Sequence, residues 1–242
     1  MGKQYWRGGN MLYPVPAVMV SCGRPEERPN IITVAWAGTV CSSPAMVSIS
    51  VRKERYSYDI LKETGEFVIN LITRDLTYAT DFCGVRSGRD VDKFAQMHLT
   101  PLPSQHISAP GIAESPVNLE CKVTQVIPLG SHDMFLAEVL GVTVDEKYMD
   151  VNGKFHLNDA GLVAYSHGEY FELGEKLGKF GYSVAKKQAA KPESVTKSAK
   201  PSGAGKKAAS AENRTASKTG AGNRRKSASK TGSADKQKSR RK

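Results

Sequence analysis

Short apolar runs with a repeat near two, and seldom near 3.6, fill the first three quarters of the chain. Residues 31–39 (IITVAWAGT) and 46–51 (MVSISV) are rich in β-branched and aromatic residues and are bounded by Pro and Gly; that pattern predicts strands. Pro44 cannot donate to a sheet ladder, so the Cys-Ser-Ser-Pro stretch at 41–44 marks the corner between them. Further strands are predicted at 17–22, 66–72, 117–128, 135–144, 162–166 and 170–173, with a turn over 129–134. Asn152-Gly153 inside 147–157 is a hairpin-turn signal. Helical spacing appears at 58–64, with Gly65 placed as a C-cap, and at 73–82, with Thr73 or Asp75 as the cap. The glycine- and charge-rich residues 83–92 predict an ordered loop, and the proline-bearing 102–116 a loop or edge strand. Many short strands with a few short helices predict a mainly β, closed or nearly closed antiparallel barrel.

Composition divides the chain in two. Residues 185–242 hold 18 Lys and Arg against three acids, a net charge of +15, whereas 1–184 hold 17 basic and 21 acidic residues, a net of −4. The overall +11 is therefore a property of the tail. Aromatics stop at Tyr182, and Lys, Ser, Ala, Thr and Gly dominate from there. A segment of this kind buries too little apolar surface to offset its ordering entropy, which predicts disorder. The expected organisation is a domain over 1–184 and a disordered basic tail over 185–242. Eighteen cations would bind nucleic acid electrostatically and without sequence preference; a solubilising extension fits the same composition.

The chain lacks an 18-residue apolar run, and its first ten residues lack the apolar stretch of a signal peptide. Cys22, Cys41, Cys83 and Cys121 are widely spaced and form no C-x-x-C pair, which argues against zinc and against a disulfide framework. No H-x-x-H or H-E-x-x-H spacing supports a metal site. No G-x-G-x-x-G occurs, so a dinucleotide-binding Rossmann unit is excluded. A reducing cytoplasm without membrane attachment is the expected setting.

Candidate chemistry concentrates in residues 30–57. The run Arg52-Lys53-Glu54-Arg55-Tyr56-Ser57 joins cations to hydroxyls at a strand end; it offers either a phosphate cradle or a solvated turn. Ala35, Ala37 and Gly38 leave room beside a strand for a flat ligand, and Trp36 adds an aromatic plane. A second candidate wall comprises Phe82, Gly84, Ser87, Asp92 and Lys93, where glycine permits close backbone approach and Lys93 offers a charge. A loop pinned by Asp90 and Asp92 against Arg89 and Lys93 explains the same residues. Lone cysteines such as Cys41 and Cys83 are ordinarily small buried hydrophobes, and His132 and His167 read as structural.

These segments, in this order, resemble the flavin reductase-like family of FMN-binding split barrels, in its flavoredoxin-type branch. The N-x-x-T-x-A-W strand, the S-S-P turn, the V-R-K-x-R-Y-S corner, the S-G-R-D-x-D-K-F segment after Phe82-Cys83-Gly84, Gly130-Ser131-His132-Asp133 and the Tyr170-to-Gly181 stretch carry the resemblance over roughly residues 10 to 183. It implies an antiparallel split β-barrel with short peripheral helices that binds FMN. It also implies electrons from NADH or NADPH, or from a protein donor, passed to free flavin or to another redox protein. Cofactor contacts carried over are Thr33, Ala35, Trp36 and Ala37 along the ring, Arg52, Lys53, Tyr56 and Ser57 at the phosphate, and Phe82, Gly84, Ser87, Asp92 and Lys93 opposite. No catalytic residue is assigned, because the isoalloxazine carries the chemistry and the protein orients it. The resemblance implies a homodimer, with residues 167–182 reaching the partner subunit. Two alternatives remain: a pyridoxamine-phosphate-oxidase-like FMN enzyme, and a non-catalytic flavin- or haem-holding barrel tethered to nucleic acid by its tail.

Overall fold

The computed structural model describes residues 1–185, so the disorder expected for the tail lies, apart from Ala185, outside the described residues. In chain order the elements are β1 (Val15–Pro16), β2 (Val18–Cys22), β3 (Asn30–Val34), β4 (Ala37–Ser42), β5 (Ala45–Arg52), α1 (Tyr56–Thr64), β6 (Glu66–Leu71), α2 (Thr77–Val85), α3 (Lys93–Gln96), β7 (Pro101–Leu102), β8 (Gly111–Ile112), β9 (Val117–Pro128), β10 (His132–Val144), β11 (Val163–Ser166) and β12 (Glu169–Glu172). The fold is mainly β and every ladder is antiparallel. No described helix is long and apolar enough to cross a membrane.

A seven-stranded sheet has the order β3-β2-β6-β9-β10-β5-β4. Its two edge strands, β3 and β4, are neighbours in sequence, joined by Ala35 and Trp36. A two-residue link brings the edges of a twisted sheet together, so the sheet rolls into a barrel with one seam. The Ser50 N–H donates to the Trp36 carbonyl at 2.9 Å, one step beyond the Ala37–Ile49 pair, and so extends the β4–β5 ladder up to the break. This is the split barrel expected from the sequence, with one correction. Residues 31–39 are not a single strand; the run breaks at Ala35–Trp36 because the chain there passes from one sheet edge to the other.

Side-chain alternation along β2 and β3 serves two cores. Val18, Val20, Cys22, Ile32 and Val34 face the barrel interior with Ile49, Phe67 and Phe135. Met19 and Ile31 face outward against Ile72, Cys83 and Phe94, under α2 and α3. With both faces covered, these strands read as continuous apolar runs.

α1 begins two residues before its predicted start and ends as predicted. Gly65 adopts φ 63°, the left-handed region open to glycine, and its N–H caps Leu61 at 3.0 Å. The 73–82 helix is instead a 3₁₀ turn, Arg74–Leu76, followed by α2, which extends to Val85 into the predicted loop. Neither Thr73 nor Asp75 caps it through a side chain. β10 starts at His132, three residues early, because it pairs with β5 from His132 opposite Arg52 onward.

Candidate functional site

The seam opens into a cleft of ≈ 390 Å³. One side is the backbone and side chains of Thr33, Val34, Ala35 and Trp36. The other is the end of β5, from Ser50 to Arg52, with His132 beside it; Tyr165 of β11 and Tyr170 of β12 close the third side. Tyr13 packs among these rings, at centroid distances of 6.3 Å from both Trp36 and Tyr165, and Tyr165 lies 5.5 Å from Tyr170. Burial and the neighbouring Arg52 guanidinium hold the His132 imidazole below its ordinary pKa, which favours the neutral ring.

Ile32 and Arg55 line this cleft and also a second, smaller pocket of ≈ 180 Å³. Its wall carries Arg55, Arg86, Arg89 and Lys93, with Glu54 the acidic member. The start of α1 enters here. Arg55 is its N-cap in extended conformation, and no side chain caps the helix, so its positive end and first N–H groups are left to an anion or solvent. Asn30, 4 % exposed, donates from Nδ2 to Ser57 Oγ at 2.7 Å. The Arg89 guanidinium sits 5.4 Å over the Tyr56 ring.

Two glycines let the 84–88 segment close on this pocket. A Cβ on Gly88 would stand 2.6 Å from Asn30 Cγ and 2.7 Å from Tyr56 Cδ1, and one on Gly84 would stand 3.2 Å from Thr33 Cβ. Thr33 itself donates its hydroxyl to the Thr80 carbonyl, tying β3 to α2.

Of the sequence-predicted residues, Thr33, Ala35, Trp36 and Arg52 meet in the larger cleft, and Tyr56, Ser57, Gly84, Ser87 and Lys93 in the smaller pocket. Four sit elsewhere. Ala37 packs on the barrel core. Phe82 packs on the core beneath α2. Asp92 caps α3 by accepting the Ala95 N–H at 3.1 Å. Lys53 turns to Asp133, its Nζ 3.4 Å from the carboxylate. Lys93 lines the pocket but is 3 % exposed, and its ammonium donates to the carbonyls of Ile31 at 2.6 Å and Cys83 at 2.7 Å. Burial pushes its pKa down to about 8. Cys83 is buried, its thiol pushed up to about 11 by burial, and is no ready nucleophile.

Sequence reasoning missed Asn30, Arg55, Arg86, Arg89, Tyr165 and Tyr170 as lining residues. Arg55 lay inside the basic run already singled out. Tyr165 gave no local signal, and Tyr170 was singled out only as the start of a stretch carrying the resemblance; the β11–β12 hairpin delivers both from more than a hundred residues away. Among the described residues no cluster of His, Cys, Asp and Glu could hold a metal.

The model of the flavin reductase like domain matches residues 10–174. The chain belongs to the flavin reductase-like family. Within it the chain falls in the flavoredoxin branch: flavoredoxin of Desulfovibrio vulgaris (Miyazaki F) is 33% identical, with a TM-score of 0.70 over 76% of this chain and 100% of that one. A protein of Archaeoglobus fulgidus, uncharacterized, is 31% identical over 66% of this chain and 88% of its own length. An NADH:FAD oxidoreductase of Streptomyces globisporus C-1027, 21% identical with a TM-score of 0.56 over 67% of this chain and 88% of that one, shares the fold. Family membership and the seam geometry describe the same region, since residues 10–174 contain every wall of both chambers.

Proposed function

We propose that this flavin reductase-like domain binds FMN across the paired pockets. It would take electrons from NADH or NADPH, or from a protein donor as a flavoredoxin-like carrier, and pass them to free flavin or another redox protein. The observation that carries this is the adjacency of the two chambers, which share Ile32 and Arg55 as lining: an aromatic-walled cleft lies beside a small cationic pocket at a helix start. That is the shape and charge of a flat ring with an anionic end. Gly84 and Gly88 fit the group as well, because a side chain at Gly88 would meet Asn30 and Tyr56 on the pocket wall.

When bound, the isoalloxazine would supply the electron and hydride transfer. The chain's own residues would bind and orient it. Thr33, Ala35 and Trp36 would lie along the ring; Tyr165 and Tyr170 would screen it from water; Arg55, Arg86, Ser57 and the first N–H groups of α1 would hold the phosphate.

Phe171 of β12 is 51% exposed, and Leu173, Leu177 and Phe180 on the arm that follows it are 56%, 92% and 110% exposed. This supports a homodimer in which the arm packs on the partner; light scattering would give twice the chain mass. The basic stretch 185–242 supports a proposed salt-sensitive contact with nucleic acid. Deleting it should abolish retention on DNA and leave flavin turnover intact.

The test of the central reading is an absorption spectrum of the purified protein, followed by NADH or NADPH without oxygen. Two flavin bands that bleach with a nicotinamide establish the reductase, and bands that bleach only with dithionite establish the carrier. A colourless protein that takes up no added FMN rejects both.

A further inference from the structure

Asp133 opens β10 beside His132 and is 4 % exposed. Its Oδ2 accepts the hydroxyl of buried Tyr58 at 2.6 Å. Its Oδ1 has no hydrogen-bond partner, and the Lys53 ammonium stands 3.4 Å from it as an ion pair. The Tyr58 hydrogen bond holds the carboxyl below its usual range, and the same contact pushes the Tyr58 phenol up to about 12. Both partners thus stay in the forms that bind each other at neutral pH.

A buried carboxylate with one lone-pair set unmet is a poor stabilising device; a neutral side chain filling the same space is commonly as good or better for stability. Its place in the fold suggests another role. Lys53 belongs to the turn that carries Arg52 and Arg55, and Tyr58 lies in the first turn of α1, beside Tyr56 and Ser57. Asp133 follows His132. One carboxylate thus joins the three elements whose next residues line both chambers. The turn is fixed from within by the Arg55 N–H to the Arg52 carbonyl at 3.1 Å, and continues into α1 through the Tyr58 N–H to the Arg55 carbonyl at 2.9 Å. Neither bond ties the turn to the barrel; Asp133 does, alongside the Asn30–Ser57 bond to β3 and the Arg89 guanidinium on the Glu54 carbonyl.

We propose that Asp133 is a positioning residue. By holding Lys53 and Tyr58 it sets Arg55 and the first turn of α1 at the anionic end of the cleft, and so sets the preference for a phosphorylated flavin over an unphosphorylated one. This inference rests on the proposed function. It assigns Lys53 to the support of the pocket and withdraws it from phosphate contact.

The test is the ratio of riboflavin to FMN dissociation constants, measured by fluorescence titration of the full chain freed of flavin. In Asp133→Asn the FMN affinity falls about tenfold, while riboflavin affinity stays within about twofold. Tyr58→Phe and Lys53→Gln each reproduce part of the change, and Lys53→Arg restores the wild-type ratio. Equal losses for both flavins assign Asp133 a merely structural role and overturn the inference, as does an unchanged ratio. Should Asp133→Asn not fold, the Tyr58 and Lys53 variants decide by the same ratio. Should the wild type bind neither flavin, the functional reading falls and inorganic phosphate becomes the probe. Phosphate that raises the wild-type Tm but not that of Asp133→Asn upholds the positioning role; equal or absent stabilisation in both overturns it.

Discussion

The two chambers of the cleft are built in opposite ways. The larger is walled by β-sheet edges: Thr33 to Trp36 are consecutive, and Ser50 to Arg52 lie across the seam from them. The smaller is assembled from β3, the turn after β5, the start of α1, the end of α2 and the segment leading to α3. The first is fixed by ladder hydrogen bonds that the barrel makes regardless of a ligand. The second depends on side-chain ties and on glycines that let segments approach. The sheet-built wall should therefore tolerate substitution, and the loop-built pocket should not.

The largest break in this contrast is expected at Gly88. Gly88→Val places atoms into Asn30 and Tyr56, which cannot yield without losing the Asn30–Ser57 hydrogen bond. FMN affinity should drop by about a hundredfold or more, with about 1–3 kcal/mol of stability lost; titration and thermal melts read both. If affinity is retained, the smaller pocket is not the phosphate site.

Arg55→Ala comes next. It should weaken FMN about 10- to 100-fold and riboflavin little, since a guanidinium contributes chiefly to the charged end. Rising salt should erode the FMN advantage of the wild type in parallel.

Lys93→Met tests the pocket floor. Loss of the donor to the Ile31 and Cys83 carbonyls should cost about 1–3 kcal/mol. The pH dependence has a defined sign. The folded-state pKa, about 8, lies below the ordinary 10.5, so above pH 8 the unfolded chain holds a proton that the folded chain has shed. Wild-type stability against denaturant should gain a contribution as pH rises from 8 towards 10.5, and Lys93→Met should lack it.

The smallest effect is expected in the sheet-built chamber. Trp36→Phe should shift the visible spectrum of bound flavin and change FMN and riboflavin affinities together by about threefold or less. Unequal changes would show that Trp36 acts on the phosphate end.

The same contrast explains what the sequence disclosed. β9 and the 45–52 strand were legible because long alternating runs carry their own evidence. The break at Ala35–Trp36 was not, since nothing local distinguishes a continuous strand from one that crosses between sheet edges. The basic corner was recognised, but adjacency does not say which cation lines a pocket; Arg55 lines both chambers, while Lys53 goes to Asp133. The cations Arg86 and Arg89 lay in a segment read as a wall through its glycine and serine, and Tyr165 and Tyr170 depend on a hairpin brought in by tertiary contact alone.

The seam also bears on how the chain survives when newly made. The edge strands β3 and β4 are each paired on one side only, which leaves edge amides and carbonyls without a ladder partner, and open edges recruit strands from other molecules. A ligand lodged in the cleft beside these edges would act as a plug, shielding adhesive backbone during the interval when nascent copies are most crowded. Cells starved of the cofactor would then lose this protein first to aggregation and turnover, before any shortage of electrons was felt.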